Sequence, residues 1–577
     1  MAAGPLVALG AFLLLVADLP RWSSGVWAPK MAVLLVLGAA GLPLLVARAA
    51  GRDRWPERLL TRPAALAALA FVAVAAASTA ASPAGIAAVV GLYGQGTGLV
   101  FVACLAGVWA LGTAVHAEDT WGGRSGRAWV ELAVVGGAVA NAAVGLGQEV
   151  AGLGGLVPGD KSFATGLLGN PAYLGAVCAA GLALVGGRVA AHPWRWSAPA
   201  VVLSLAVGAS GERLSALTAL AVGVLEIAAA VAGRRRSGGR GRALLPPVRF
   251  AGTVLVSLVV GSLLPSLRSH GSAGVLGRAA HTTVTNTVTG RVDAWRAGLA
   301  VLGHRPLLGF GPGQFRDAIA TTLTPHQARV VDLAVFVGAH NLLVEYATTT
   351  GLLGLAALVC WLVLAVRRRR GRLVIAAGAF LLCALAQPME VAATPLLFLL
   401  LGAARSAPVP DRVSARAKQA LAAPPPGRWF RVALAGCMVL GAVAGVGLIV
   451  GDLSYARAGR ALAAHHPAQA ASAARAADGE LFAWPEPELA LGRADMEAGR
   501  PVAAVRAERT ALARDRADPG LWTALAEGEA GLGRYAAARR DAGQAARLEP
   551  TDSTARRLVG AAPGPAGAGP AGSLPLE

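Results

Sequence analysis

Charge is scarce in this chain: only 15% of its 577 residues are Asp, Glu, Lys or Arg. Soluble proteins carry roughly 25%, so a soluble enzyme is excluded, and so is a charge-rich disordered scaffold. Cysteine is scarce as well. The five, Cys104, Cys178, Cys360, Cys383 and Cys437, all fall within apolar runs, which excludes a small secreted disulfide module. There are only three lysines, so arginine supplies nearly all the positive charge. With its wealth of Ala and Gly, the composition suggests a bacterial gene of high GC content.

What is plentiful is apolar length. Hydrophobic residues make up 55% of the chain and the mean hydropathy is +0.57. A helical span of a hydrocarbon core takes about 20 apolar residues. Spans are read near 5–20, 27–47, 64–82, 97–115, 129–150, 171–187 and 196–210. Others follow near 214–233, 250–265, 341–366, 373–387, 391–404 and 429–451. The expectation is an all-α, polytopic membrane helix bundle of about 13 spans over residues 1–451. The first span has no Lys or Arg before it and no clear small-residue cleavage site, so it reads as retained rather than as a signal peptide.

The net charge of +20 points toward nucleic acid only until it is located. Residues 452–577 carry 15 Arg against 16 Asp and Glu, whereas residues 1–451 carry 37 Lys and Arg against 16 acids. That excess sits in short loops between spans, where it sets orientation. Alternate loops hold 26 and 11 basic residues, and most of the 11 lie in one long loop. The N-terminus is therefore expected in the cytoplasm, with the long loop 266–340 and the tail beyond Asp452 outside.

The tail is Ala-rich and repeats at a period of 34. Its last unit has Trp522, Leu525, Ala526, Gly533, Tyr535, Ala538, Ala545 and Pro550; the preceding unit has Leu491, Gly492, Gly499, Ala504 and Ala511 at matching places. A weaker unit begins near Ser454, with Ala458, Ala470 and Ala477. Residues 452–559 resemble tetratricopeptide repeats, whose small residues let paired helices pack closely. A plain Ala-rich helical hairpin bundle is the simpler alternative. The stretch 560–577 is Pro/Gly-rich without a collagen period and reads as disordered.

Ionisable groups in or beside a membrane are costly and are functional candidates by default. Three places qualify: Ser210-Gly211-Glu212-Arg213 between two spans, Arg291–Arg296 (RVDAWR) in the long loop, and Ala339-His340-Asn341 before a span that also carries Glu345. Singly, each has a bland reading: Arg213 snorkels, Arg291 or Arg296 is a solvated loop charge, and His340 caps a helix. Together, two guanidiniums and an imidazole on one face suit a reaction on an anion. Arg matches phosphate geometry and keeps its charge, and His takes a proton near neutral pH.

The order of these motifs carries a resemblance. RVDAW at Arg291 is followed by RPLLGFGPGQF (Arg305–Phe315), AHNLLVEY (Ala339–Tyr346) and GLLGL (Gly351–Leu355). Upstream, Asn170-Pro171 opens a span and Ser210–Arg213 makes a turn. Over about residues 90–405 this resembles the O-antigen ligase and polymerase family of membrane glycan transferases. Many members have Ser directly before Arg; here Gly211-Glu212 intervenes, which leaves Arg213 less certain than Arg291.

The resemblance implies a glycosyltransferase on the outer face of the bacterial plasma (inner) membrane. It would move a glycan from undecaprenyl pyrophosphate to a hydroxyl on a glycan, lipid or protein acceptor, by inverting displacement at the anomeric carbon. His340 would be the base, with Arg291 and Arg213 clamping the pyrophosphate. Arg296, Asn341, Glu345, Asn170 and Trp295 would contact substrate. Ligase, polymerase and protein O-oligosaccharyltransferase remain open, and the tail offers a surface for a protein partner.

No cofactor and no metal are expected, because no Asp-x-Asp pair occurs in an outer loop; Asp293, Asp317 and Asp332 are far apart in sequence. The GFGPG run (Gly309–Gly313) lacks the Gly-Lys-Ser/Thr of a phosphate loop and reads as a turn. His270, His281, His304 and His326 lack metal-ligand spacing, Arg367–Arg370 is a cytoplasmic stop signal, and Glu390 is a weak candidate for a sugar contact. Two other classes make different demands on the sequence. A lipid-linked glycan transporter would distribute charges within its spans, where Glu226 is the clearest example. A non-catalytic scaffold would tolerate His340→Ala.

Overall fold

The structure, a computed structural model, describes residues 3–18, 26–50, 58–115, 120–121, 124–151, 163–236, 244–268, 284–331, 333, 336–367, 369–387, 391–406 and 428–560. Arg21, Lys161, His270, His281, Asp332, Glu390 and the stretch 561–577 lie outside them.

Helices dominate. The membrane part contains α1 (Ala3–Val16), α2 (Trp27–Ala49), α3 (Arg58–Ala80), α4 (Ala87–Val90), α5 (Leu99–Thr113), α6 (Gly126–Ala151), α7 (Pro171–Ala191), α8 (Pro193–Ala209), α9 (Arg213–Arg236) and α10 (Leu245–Arg268). The long loop adds α11 (Val284–Ala300) and α12 (Phe315–Ala320), after which α13 (Leu342–Val366), α14 (Arg372–Ala384), α15 (Ala393–Ala403) and α16 (Arg428–Ala463) return to the bundle. Two-residue ladders, Thr120–Trp121 with Arg124–Ser125 and Arg369–Arg370 with Arg405–Ser406, are the strands among the described residues.

Among the described residues eight helices are long and apolar enough to cross a membrane: α2, α3, α6, α7, α9, α10, α13 and α16. Shorter apolar helices occupy four further expected spans, 5–20, 97–115, 373–387 and 391–404. The thirteenth, 196–210, falls on α8. The chain is thus an all-α, multi-pass membrane protein.

Small residues set the closest crossing. A Cβ on Gly41 of α2 would lie 1.8 Å from the Gly107 carbonyl of α5, so these backbones touch. In lipid, where apolar surface gains nothing by leaving the solvent, such close approach is what holds helices together. Charges inside the bundle are paired: Glu226 of α9 accepts two hydrogen bonds from Arg372 at the start of α14, at 2.8 and 3.1 Å. The Lys30 ammonium, 1% exposed, donates to the carbonyls of Ala17 and Leu167, each at 2.7 Å.

One span is broken. At Gly351 α13 adopts φ 69°, ψ −172°, a conformation open essentially to glycine alone. The exposed backbone groups are met by the loop segment 306–313. Leu352 N–H donates to Pro306 O at 2.8 Å, while Phe310 and Gly311 N–H donate to Thr348 and Thr349 carbonyls at 3.1 and 2.8 Å. From α3, Ser78 donates to Thr349 O at 2.9 Å, and the Ser82 hydroxyl donates to Phe310 O at 2.6 Å. Irregular backbone at membrane depth survives only where protein satisfies it. The GFGPG run is therefore more than a turn: it seals the kink.

The α16 helix runs 36 residues without interruption, so the last span and the first helix of the tail are one rigid rod through position 452. The tail continues as α17 (Pro467–Glu480), α18 (Glu486–Glu497), α19 (Pro501–Arg514), α20 (Pro519–Gly531), α21 (Tyr535–Leu548) and α22 (Ser553–Gly560). Pro467, Pro501 and Pro519 begin helices, where the missing N–H is no loss. Successive helices pack through buried alanines, among them Ala458, Ala474, Ala504, Ala511, Ala526, Ala538 and Ala545.

The tail folds back on the rest of the chain at two places besides the packing of Leu548 on the long loop. Trp484 donates its indole N–H to Gly91 O at 2.8 Å and joins Trp27 and Tyr93 in an edge-to-face cluster. At the second place, Arg316 of α12 pairs with Asp515 and Asp518, which flank the α19–α20 turn.

Candidate active site

The long loop has a small core of its own. Ala294, Ala297, Phe315, Ile319, Val331, Leu333, Phe336 and Ala339 are buried together, with Trp295, Val344 and Leu548 packed on them. This core ties α11 and the entry of α13 into one body, which brings the RVDAW and AHN motifs together.

His340 sits at the junction. Its φ of 53° lies in the left-handed region, uncommon for any residue with a side chain. The next residue, Asn341, is the N-cap of α13, and its side-chain oxygen accepts from the N–H of Leu343 and Val344 at 2.9 and 3.2 Å. The His340 ring is fixed at one nitrogen, with Nδ1 2.9 Å from the Gly338 carbonyl. A carbonyl only accepts, so Nδ1 carries the proton and Nε2 keeps its lone pair. The Phe336 ring lies 5.3 Å away and shields the imidazole.

Burial pushes His340 down to about 4, and the nearby Arg291 guanidinium lowers it further against the hydrogen bond to Gly338. The ring is neutral at physiological pH. Arg291, half-buried one turn before Trp295 on α11, is near enough to act on the imidazole electrostatically.

The other expected site residues have definite places. The Trp295 indole N–H donates to the Ala339 carbonyl at 2.6 Å. Glu345, 4% exposed, accepts from the Ala339 N–H at 2.7 Å. Arg296 projects outward, 71% exposed, and pairs with the buried Asp293 at 3.3 Å. Asn170 caps α7 by accepting from Ala172 N–H at 2.8 Å, ahead of Pro171. Arg213 is the first residue of α9, half-buried after a turn in which Gly211 takes φ 69°. The structure thus gathers Arg291, Trp295, His340 and Glu345 around the Gly338–Ala339 backbone, while Asn170 and Arg213 are placed by the α6–α7 and α8–α9 connections.

His304 and His326 are exposed. Among the described residues no group of three His, Cys, Asp or Glu side chains could hold a metal ion. The residue that sequence reasoning passed over is Arg316. It follows GFGPGQ in an apolar stretch, and nothing local marks it; its partners Asp515 and Asp518 read as helix-end residues.

No curated protein matches the chain. Residues 198–359, from α8 through the break in α13, match a family model described as O-antigen ligase, and they include Arg213, Arg291 and His340. Over this segment the match supports the O-antigen ligase and polymerase family.

Proposed function

We propose that the protein transfers a glycan from undecaprenyl pyrophosphate to an acceptor hydroxyl at the outer face of the plasma membrane, without a metal and with inversion at the anomeric carbon. The observation that carries this reading is the neutral His340 ring with Nδ1 tied to Gly338 and Arg291 beside it.

The chemistry follows from the charges. A base at about 4 is weak in the free enzyme. A pyrophosphate bound against Arg291 offsets that cation and adds negative charge, and both effects raise the basicity of Nε2. His340 Nε2 then takes the proton of the acceptor hydroxyl as its oxygen bonds to the anomeric carbon. The bond from that carbon to the pyrophosphate oxygen breaks, and Arg291 and Arg213 hold the departing charge. Arg296, exposed on the same helix as Arg291, would meet substrate.

The same reading puts the N-terminus in the cytoplasm and the long loop and tail outside, following the basic loop residues. The 34-residue period and helix pairs support tetratricopeptide-like repeats in the tail, a surface for a protein or polymer acceptor. The test is glycan transfer in membranes, with native lipid-linked donor and a chelator present. Wild type should transfer sugar to a higher-mass acceptor, and His340→Ala should lose transfer at normal protein level. Full activity in His340→Ala rejects His340 as the base, and the identity of the acceptor separates ligase from polymerase.

A further inference from the structure

Two residues that read in the sequence as substrate contacts both bond to the backbone of one alanine. The Ala339 residue is fully buried, and both of its backbone polar groups end on side chains: its N–H on Glu345 and its C=O on Trp295. Each bond acts on a different peptide group, and each group controls a different property of His340.

The Ala339 C=O belongs to the peptide that joins Ala339 to His340. Holding that plane with the Trp295 indole fixes the torsion by which His340 enters its left-handed conformation, φ 53°. The Ala339 N–H belongs to the preceding peptide, whose carbonyl is that of Gly338. In a trans peptide the N–H and C=O point to opposite sides. Glu345 drawing on the N–H therefore aims the Gly338 carbonyl at His340 Nδ1, 2.9 Å away. The chain of contacts runs from carboxyl to amide to imidazole, and hydrogen bonds in series polarise one another.

We propose that Glu345 and Trp295 are positioning residues for His340: Glu345, acting through the Gly338–Ala339 peptide, selects the Nδ1–H tautomer, and Trp295 holds the left-handed turn that presents Nε2 beside Arg291. This rests on the transferase reading of His340. A triad's acid orients its histidine through a direct contact; here a backbone amide stands between them. No ion pair to Glu345 occurs among the described residues, so its visible task is this hydrogen bond.

The test compares Glu345→Ala, Glu345→Gln and Trp295→Phe in full-length protein in membranes. Gln keeps an acceptor oxygen, and Phe keeps an aromatic ring while losing the N–H with the five-membered ring that carries it. Glu345→Ala and Trp295→Phe should lower kcat tenfold or more with KM for donor within twofold, and Glu345→Gln should restore kcat to within a few-fold of wild type. A second readout needs no transfer: carbethoxylation of His340 by diethyl pyrocarbonate, followed by mass spectrometry against pH. Wild type and Glu345→Gln should react slowly with a low midpoint. Glu345→Ala and Trp295→Phe should react faster, because a ring released from its fixed position is reached more easily; loosening the Gly338 bond removes the contact that raises the ring, so the midpoint should not rise with it.

Glu345→Gln as inactive as Glu345→Ala would overturn the proposal in favour of a proton-carrying or charged role, and a raised KM with unchanged kcat would overturn it in favour of a substrate contact. Wild-type kcat in Trp295→Phe also overturns it. If wild type shows no transfer, the transferase reading fails, and the labelling pattern alone decides whether His340 is positioned in this way: equal rates in all four proteins reject it.

Discussion

Arg316 of the long loop and Asp515 of the tail form an ion pair whose side chains are 8% and 4% exposed. Asp518 adds a second contact at 3.3 Å, and the carboxyls of Asp317 and Glu486 crowd the same guanidinium. The tail is thereby docked on the body that carries His340. Removing one partner of a buried pair costs about 3–5 kcal/mol, because the other charges stay buried and uncompensated. Arg316→Ala should therefore release the tail, which limited proteolysis of the 484–519 region would show as faster cleavage. Unchanged cleavage would mean the Trp484 contacts suffice.

One guanidinium against four carboxyls also sets a pH dependence. Burial pushes Glu486 up to about 8 and raises Asp317 as well, with Asp515 adding to both and Arg316 opposing. Both carboxyls are raised above their ordinary values of 4.5 and 3.8, so the docked state favours their protonated forms. That stabilisation is complete below the ordinary values and is lost as pH rises through about 8. Thermal melting should show docking weaken between pH 6 and 8.5. The double variant Asp317→Asn, Glu486→Gln should flatten the dependence, and a wild-type melting temperature indifferent to pH would contradict it.

For catalysis the sign is opposite. His340 is depressed to about 4, so its neutral form persists well below the usual histidine range. The acid limb of kcat/KM, which reports the free enzyme, should fall near pH 4. The limb of kcat should lie at higher pH, because bound pyrophosphate raises the imidazole. Coincident limbs near 6.5 would show that burial and Arg291 do not act on this ring.

The break in α13 gives a stability prediction. A Cβ at Gly351 would stand 2.3 Å from the Leu307 carbonyl, at a φ that side chains rarely adopt. Gly351→Ala should cost about 3 kcal/mol or more from strain and overpacking together, read as lost folded protein in detergent. Gly378→Ala, in α14 with open space around its Cβ position, is the matched control and should be tolerated.

Arg296 separates stability from function. Its pair with Asp293 is open to solvent on the arginine side and long at 3.3 Å, so it is worth about 0–1 kcal/mol. Arg296→Ala should leave melting almost unchanged while raising KM for donor or acceptor several-fold. Unchanged KM would leave Arg296 a surface charge and nothing more.

Much of this was readable residue by residue. The run of thirteen apolar stretches marked helices because a bilayer demands about 20 apolar residues in a helix that satisfies its own backbone. Asn170-Pro171 and Ala339-His340-Asn341 announced helix starts through local capping chemistry, which acts over three residues. RVDAW and AHN announced chemistry by residue type. The roles of Trp295 and Glu345 did not show, since both bond to backbone atoms of Ala339, and backbone groups are the same at every position.

The sequence by itself determined the class of protein, the placement of its spans and the set of groups available for chemistry, because hydrophobic length and capping are local properties. Only the tertiary structure decided that GFGPG closes a broken span, that Glu345 reaches His340 through a peptide, and that Arg316 meets Asp515 across 199 positions of chain. These are long-range pairings. Each depends on which buried polar group ends beside which, and that follows from the packing of the whole chain.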